Sequence, residues 1–197
     1  MKLSIDCDGV ISRFDRAVVY IAGKLWPGRL PETYQPTTWG YTDVFSEADW
    51  TKIWQEIDQT FNFWQFVEPY ADNLTALRDF LRTHQNQEVY HVTSRKQTAG
   101  SPVALQTQIW LMLNNVFPER NYHAILPVAQ VGYKREVMRS LGIQYSIDDY
   151  GPTVERCQTL KGHAACLLRR PWNRDSKAEW QVDTLQQFFD EIYRQPS

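Results

Sequence analysis

Two carboxylates one residue apart, Asp6 and Asp8 in the run Leu3-Ser4-Ile5-Asp6-Cys7-Asp8-Gly9-Val10, have the spacing best suited to chemistry in this chain. The apolar residues before them read as a buried strand. A strand repeats its side chains every two residues, so both acids can leave its tip on the same side. Gly9 lets the backbone turn sharply there and lets a ligand approach closely. One carboxylate of such a pair can attack as a nucleophile while the other moves a proton, and both can face a divalent cation. An acidic turn after an N-terminal strand would use the same residues, so the pair gains meaning only from the groups that accompany it.

Three such groups fall at predicted strand ends. Thr93 and Ser94 follow Val89-Tyr90-His91-Val92, where a hydroxyl can donate to an anionic oxygen or cap a helix. Lys134 opens a helical stretch and offers a point charge able to balance crowded carboxylates and a phosphate. Asp148 and Asp149 close Ser146-Ile147, and neighbouring acids at a strand tip repel one another unless a cation compensates them. Strand parity puts the two on opposite sides, so one would bind an ion while the other orients Lys134 or a water.

The elements that must position these groups alternate along the chain. Strands are predicted over 2–5, 88–92, 123–126, 144–147 and 164–168. Helices are predicted over 13–25, 47–61, 70–83, 103–116, 133–141, 152–159 and 177–194. That alternation implies an α/β fold, a Rossmannoid parallel sheet with helices on both faces. Ligands of such sheets bind beyond the carboxyl ends of the strands, where Asp6 and Asp8 fall. The alternation fails between Phe14 and Pro69, a stretch without a convincing strand that holds Trp26, Trp39, Trp50, Trp54 and Trp64. It reads as a small, mostly helical cap over residues 14–69, inserted after strand 1 into a core of residues 1–13 and 70–197.

Composition narrows the partners. With 197 residues, 43% hydrophobic and 22% charged, the chain fits one soluble domain with an insertion. A net charge of −2 gives no global field to recruit nucleic acid or an anionic membrane. Base and aromatic do meet locally, in Leu167-Leu168-Arg169-Arg170-Pro171-Trp172-Asn173-Arg174, but polynucleotide binding is disfavoured for a net acidic chain. Cys7, Cys157 and Cys166 lack metal-site spacing and read as reduced, buried thiols of a cytoplasmic protein. Neither a signal peptide nor a membrane span is expected. His91 and His123 read as core histidines.

In order and type, Asp-x-Asp-Gly, Thr-Ser, Lys and Asp-Asp resemble the four motifs of the haloacid dehalogenase-like (HAD) phosphatases, over roughly residues 2 to 175. Asp6-Cys7-Asp8-Gly9-Val10-Ile11, Phe63-Trp64…Glu68-Pro69-Tyr70 and Val92-Thr93-Ser94 are similar to segments of the 5′(3′)-deoxyribonucleotidase-like branch. Arg170-Pro171-Trp172-Asn173-Arg174 is similar to a segment of bacterial and phage relatives. Two departures are Arg13, where an acid is often seen, and Arg95, where proline is frequent.

The resemblance implies phosphoryl transfer through an aspartyl-phosphate. Asp6 would attack phosphorus, and Asp8 would protonate the leaving oxygen and then deprotonate water. Mg²⁺ would be held by Asp6, the Asp8 backbone carbonyl and an aspartate of the pair Asp148 and Asp149. Thr93, Ser94 and Lys134 would hold the phosphate. Trp39, Phe63 and Trp64 are the candidates to stack a base, a contact contributing about 1–3 kcal/mol, and Phe63 and Trp64 could equally seal the hinge between cap and core. The expected substrate is a (deoxy)nucleoside monophosphate. Another small phosphoester, a polynucleotide end, or nucleotide binding without catalysis are the alternatives, and a homodimer is left open.

Overall fold

The computed structural model describes residues 1–118 and 122–194. Its centre is a six-stranded sheet in the order β3-β2-β1-β4-β5-β6. The strands are β1 (Lys2–Ile5), β2 (Glu88–Thr93), β3 (Ala124–Pro127), β4 (Tyr145–Asp148), β5 (Ala164–Leu168) and β6 (Trp180–Val182), and every pairing is parallel. Ser4 lies opposite Tyr90 on one side and Ser146 on the other, so β1, β2 and β4 finish side by side. This register, set by short strands buried on both faces, brings the three predicted motifs to one edge.

Seven α-helices among the described residues accompany the sheet: α1 (Phe14–Leu25), α2 (Glu47–Gln59), α3 (Ala71–Thr83), α4 (Val103–Leu113), α5 (Lys134–Leu141), α6 (Gly151–Cys157) and α7 (Leu185–Arg194). Alternate residues of the central strands feed two cores. Leu3, Ile5, Ile147, Cys166 and Leu168 pack with Leu77 and Phe80 of α3, Trp110 of α4 and Phe188 of α7. Phe80 and Phe189 stack there at 4.0 Å. On the other face Val92, Ala165 and Leu167 meet Met138 of α5 and Val154 of α6.

A third cluster belongs to the chain between β1 and β2. Val18 and Ile21 of α1 pack with Ile53 and Ile57 of α2, walled by Tyr41, Phe45, Phe63 and Trp64. α2 opens with a capping box in which Ser46 and Asp49 satisfy each other's backbone N–H groups. The segments leading into and out of this region are tied to each other: Arg13 N–H donates to the Glu68 carbonyl at 2.7 Å and Tyr70 N–H to that of Ile11 at 2.9 Å.

One predicted element is wrong. Residues 177–194 do not form a single helix, because Trp180–Val182 pairs with β5 as an edge strand and α7 starts only at Leu185. The signal for that break was present in Thr184-Leu185-Gln186-Gln187. Gln187 N–H donates to the Thr184 hydroxyl at 3.1 Å and the Gln187 amide accepts from Thr184 N–H at 3.2 Å, the two halves of a capping box. Other boundaries shift by one to three residues, as fraying helix ends do. No helix among the described residues is long and apolar enough to cross a membrane.

Candidate active site

Pairing between β1 and β4 continues one residue past β1, where Asp6 N–H donates to the Ile147 carbonyl at 3.1 Å. That bond fixes Asp6 beside Asp148. The chain then folds tightly, the Cys7 carbonyl accepting from the N–H groups of Ile11 at 2.9 Å and Ser12 at 2.8 Å. Gly9 has φ +76°, and a Cβ placed on it would fall 2.0 Å from Asp149 Oδ2. Glycine is therefore required twice, by conformation and by contact. Cys7 points into the core, and burial pushes its thiol up to about 12, so it is packing and not a nucleophile.

Lys134, the first residue of α5, bridges two acids. Its Nζ lies 2.8 Å from Asp6 Oδ2 and 2.8 Å from Asp148 Oδ2. Burial works against the ammonium, but Asp148 and Asp6 more than offset it and hold its pKa above the usual lysine value. One cation does not neutralise the site. Burial raises the Asp6 carboxyl to about 7, with Lys134 opposing and Asp148 and Asp8 adding to the rise. Burial, then Asp148 and Asp6, likewise push Asp149 well above the carboxylate range.

Asp6, Asp148 and Asp149 each present an oxygen within 4.8 Å of the others. Both members of the adjacent pair thus reach the cluster, where the strand-parity argument expected only one. The backbone turns immediately after β4, which removes the alternation on which that argument relied. Asp148 carries Lys134 and accepts from Tyr150 N–H at 2.9 Å. Asp149 is held by the Trp172 indole N–H at 2.9 Å, while the Asn173 amide donates to its carbonyl at 2.8 Å. The Arg170–Arg174 segment therefore braces the acid loop. Asp6 Oδ1, Thr93 Oγ1 and Ser94 Oγ are buried at the strand ends with no hydrogen-bond partner among the described residues. A buried polar atom left unpaired costs about 1–3 kcal/mol, and three of them share this sheet edge.

Asp8 has a partner that the sequence offered only as a departure from pattern. Arg95 Nε and Nη2 reach its carboxylate at 3.0 and 2.9 Å, and the Ser12 hydroxyl donates to it at 2.7 Å. The guanidinium also donates to Thr107 Oγ1 at 3.1 Å and lies over the Trp64 ring, 4.8 Å from its centroid.

Above the Asp8–Gly9 turn and Asp149 opens a cavity of about 340 Å³ walled by Phe14, Trp39, Trp50 and Trp54. Of the three predicted stacking residues, Trp39 lines it and is half exposed. Phe63 and Trp64 do not line it: they are buried behind Phe14, whose ring lies 6.4 and 5.6 Å from theirs. Trp64 is further locked by its indole N–H, which donates to the Lys96 carbonyl at 2.8 Å. Of the two roles the sequence left open for them, the structure places Phe63 and Trp64 in the packing behind the cavity and not in its wall.

No protein-family model and no curated relative matches the chain. Solved structures do. A haloacid dehalogenase-like hydrolase from Streptococcus pneumoniae is 8% identical and superposes with a TM-score of 0.62 over 97% of both chains. The L-2-haloacid dehalogenase of Xanthobacter autotrophicus, with chloropropionic acid covalently bound, is 11% identical with a TM-score of 0.61 over 99% of both. A HAD hydrolase of Bacillus subtilis bound to magnesium is 13% identical with a TM-score of 0.59 over 98% of both. At these identities the likeness concerns the backbone: the chain has the haloacid dehalogenase-like α/β fold.

Proposed function

We propose that this protein is a Mg²⁺-dependent phosphatase that hydrolyses (deoxy)nucleoside monophosphates through an aspartyl-phosphate on Asp6. The observation that carries this reading is the cluster of Asp6, Asp148 and Asp149, three buried carboxylates against one ammonium, with a free oxygen on Asp6. An all-oxygen donor set with unbalanced negative charge fits a hard divalent cation. Asp6, Asp148 and Asp149 would hold it, together with the Asp8 carbonyl. When bound, Mg²⁺ supplies charge that lets an anionic nucleophile meet an anionic ester.

The chain's own groups then divide the work. Asp6 Oδ1, which no donor among the described residues occupies, attacks phosphorus while the bond to the ester oxygen breaks. Lys134 keeps Oδ2 and the incoming phosphate in place. Thr93 and Ser94 direct their unpaired hydroxyls to phosphoryl oxygens. Asp8, facing the cavity, protonates the leaving alcohol and later takes a proton from the water that releases phosphate. The aromatic cavity beside this machinery suits a flat leaving group such as a nucleoside, each stacked base contributing about 1–3 kcal/mol.

The test is phosphate release with and without Mg²⁺ from nucleoside monophosphates, sugar phosphates, p-nitrophenyl phosphate and a 3′-phosphorylated oligonucleotide. Asp6→Asn serves as control and chloride release from L-2-chloropropionate as the rival arm. Metal-dependent release led by nucleotides is expected. Chloride release, or turnover surviving Asp6→Asn, overturns the reading.

A further inference from the structure

Tyr41 lines the cavity, yet its hydroxyl is buried with no hydrogen-bond partner among the described residues, and the residue is only 6% exposed. Its backbone is also unusual. Gly40 and Tyr41 both adopt left-handed conformations, φ +76° and +53°, and for a bulky aromatic residue that is a strained position. Surrounding contacts over-determine the strain. The Trp50 indole N–H donates to the Gly40 carbonyl, Tyr41 N–H donates to the Thr38 carbonyl at 3.1 Å, and Phe45 N–H returns to the Tyr41 carbonyl at 2.9 Å. The loop thus fixes an otherwise apolar ring so that an unpaired hydroxyl is buried at the cavity.

Asp15 supplies the complementary group. It lies in the first turn of α1, lines the same cavity and is 7% exposed. Its carboxylate accepts from the Tyr70 hydroxyl at 3.1 Å and faces Arg13 Nη2 at a loose 3.7 Å. A carboxylate has about four acceptor positions, so capacity remains. Burial foremost, then the Asp15 charge, holds the Tyr41 hydroxyl well above its ordinary pKa, so it stays a donor. One donor and one acceptor therefore share an aromatic box next to Asp8 and Gly9.

A hydroxyl group is the ligand chemistry that satisfies both, because it donates and accepts at one atom. We propose that Asp15 and Tyr41 are specificity-determining residues that read a second hydroxyl of the leaving alcohol, the sugar hydroxyl of a nucleotide, which donates to Asp15 and accepts from Tyr41. This inference rests on the phosphatase reading and deepens it, by naming what distinguishes one phosphate ester from another.

The experiment compares wild type, Tyr41→Phe and Asp15→Asn on a nucleoside 5′-monophosphate, its 2′,3′-dideoxy analogue, a pentose 5-phosphate and p-nitrophenyl phosphate, alongside thermal melts. Removing a hydroxyl that has no partner leaves the fold at least as stable, so Tyr41→Phe should melt no lower than wild type. It should nevertheless lose about tenfold in kcat/KM on the nucleotide, the worth of one hydrogen bond. Asp15→Asn should lose as much or more. Both should leave the dideoxy analogue and p-nitrophenyl phosphate within about twofold of wild type. A loss shared by the pentose phosphate assigns the hydroxyl to sugar phosphates at large, and one confined to the nucleotide assigns it to nucleosides. Equal losses on the dideoxy analogue, or none on the nucleotide, overturn the proposal. Binding of the free nucleoside and its dideoxy form, read by quenching of the cavity tryptophans, repeats the comparison without turnover. Failure of phosphate release and failure of hydroxyl reading therefore give different results.

Discussion

Arg95 grips Asp8 as a fork, Nε 3.0 Å from one carboxylate oxygen and Nη2 2.9 Å from the other, with the arginine side chain fully buried and the aspartate 23% exposed. The guanidinium lies over the Trp64 and Trp110 rings, 4.8 and 5.6 Å from their centroids, so one residue ties the Asp-x-Asp turn to α4 and to the aromatic packing behind the cavity. Removing one partner of a buried pair leaves the other unpaired, and Arg95→Met should cost about 3 kcal/mol in urea unfolding. Arg95→Lys should recover less than half of that, because an ammonium neither forks nor stacks. On the phosphatase reading, Arg95→Lys should also slow nucleotides more than p-nitrophenyl phosphate, whose leaving group needs little protonation. Equal slowing of both would mark Arg95 as a packing residue alone.

Trp39 and Trp64 should separate cleanly. Trp39 is 50% exposed at the cavity and Trp64 1% exposed behind it. Trp39→Ala should raise KM for nucleotides with little change in melting temperature. Trp64→Ala deletes a buried indole that also stacks on Arg95, and should cost about 3–5 kcal/mol, lowering activity on every ester alike. A nucleotide-selective KM effect from Trp64, with stability intact, would show that the packing behind Phe14 reaches the substrate.

Apart from Lys134 at the start of α5, the chemistry-bearing groups were legible because they lie at strand tips, and short apolar runs announce strand tips plainly. Asp6, Thr93 and Asp148 needed only the parallel register of β1, β2 and β4 to meet. What escaped were groups whose role depends on distant neighbours. Arg95 acquires its meaning from Asp8, Thr107 and two tryptophans far along the chain. Tyr41 and Asp15 become visible only once the insertion folds over the turn after β1. Phe63 and Trp64 differ from Phe14 in depth alone, since Phe14 forms the wall and they the backing, and no pattern of residue types reports depth. Within α7, helical periodicity was carried backward across an edge strand because Trp180 and Val182 also fit a helix face.

Acid should weaken the fold through His91. This residue is fully buried in β2, its Nδ1 3.1 Å from the Ile5 carbonyl, and burial lowers its pKa from 6.5 to about 4, with the Arg95 charge adding and the Ile5 carbonyl opposing. Well above pH 6.5 the ring is neutral in both folded and unfolded chains and contributes no pH dependence. Between 6.5 and 4 the unfolded chain takes up a proton that the folded one refuses, so stability falls as pH falls, by on the order of 3 kcal/mol in total. Urea unfolding from pH 7.5 to 4 should show this slope, and His91→Gln should flatten it relative to wild type. An unchanged slope in the variant would place the acid sensitivity elsewhere.

Gly9→Ala tests whether the turn after β1 and the acid loop after β4 form one device. A methyl group there would lie 2.0 Å from Asp149 Oδ2 and 2.2 Å from its Cγ, on a backbone with φ +76°. The backbone strain alone costs about 1–2 kcal/mol. The contact must in addition drive Asp149 out of the cluster or shift the turn that carries Asp8. The Trp172 indole, bonded to the same Oδ2, resists the first movement, and Arg170 Nε, bonded to the Gly9 carbonyl at 2.7 Å, resists the second. Wild-type protein should melt higher with added Mg²⁺, by the usual stabilisation from a ligand that binds only the folded state. The alanine variant should remain folded at lower melting temperature and lose most of that Mg²⁺-dependent rise. A full Mg²⁺ shift in Gly9→Ala would mean that the cation is held without Asp149, by Asp6 and Asp148 alone.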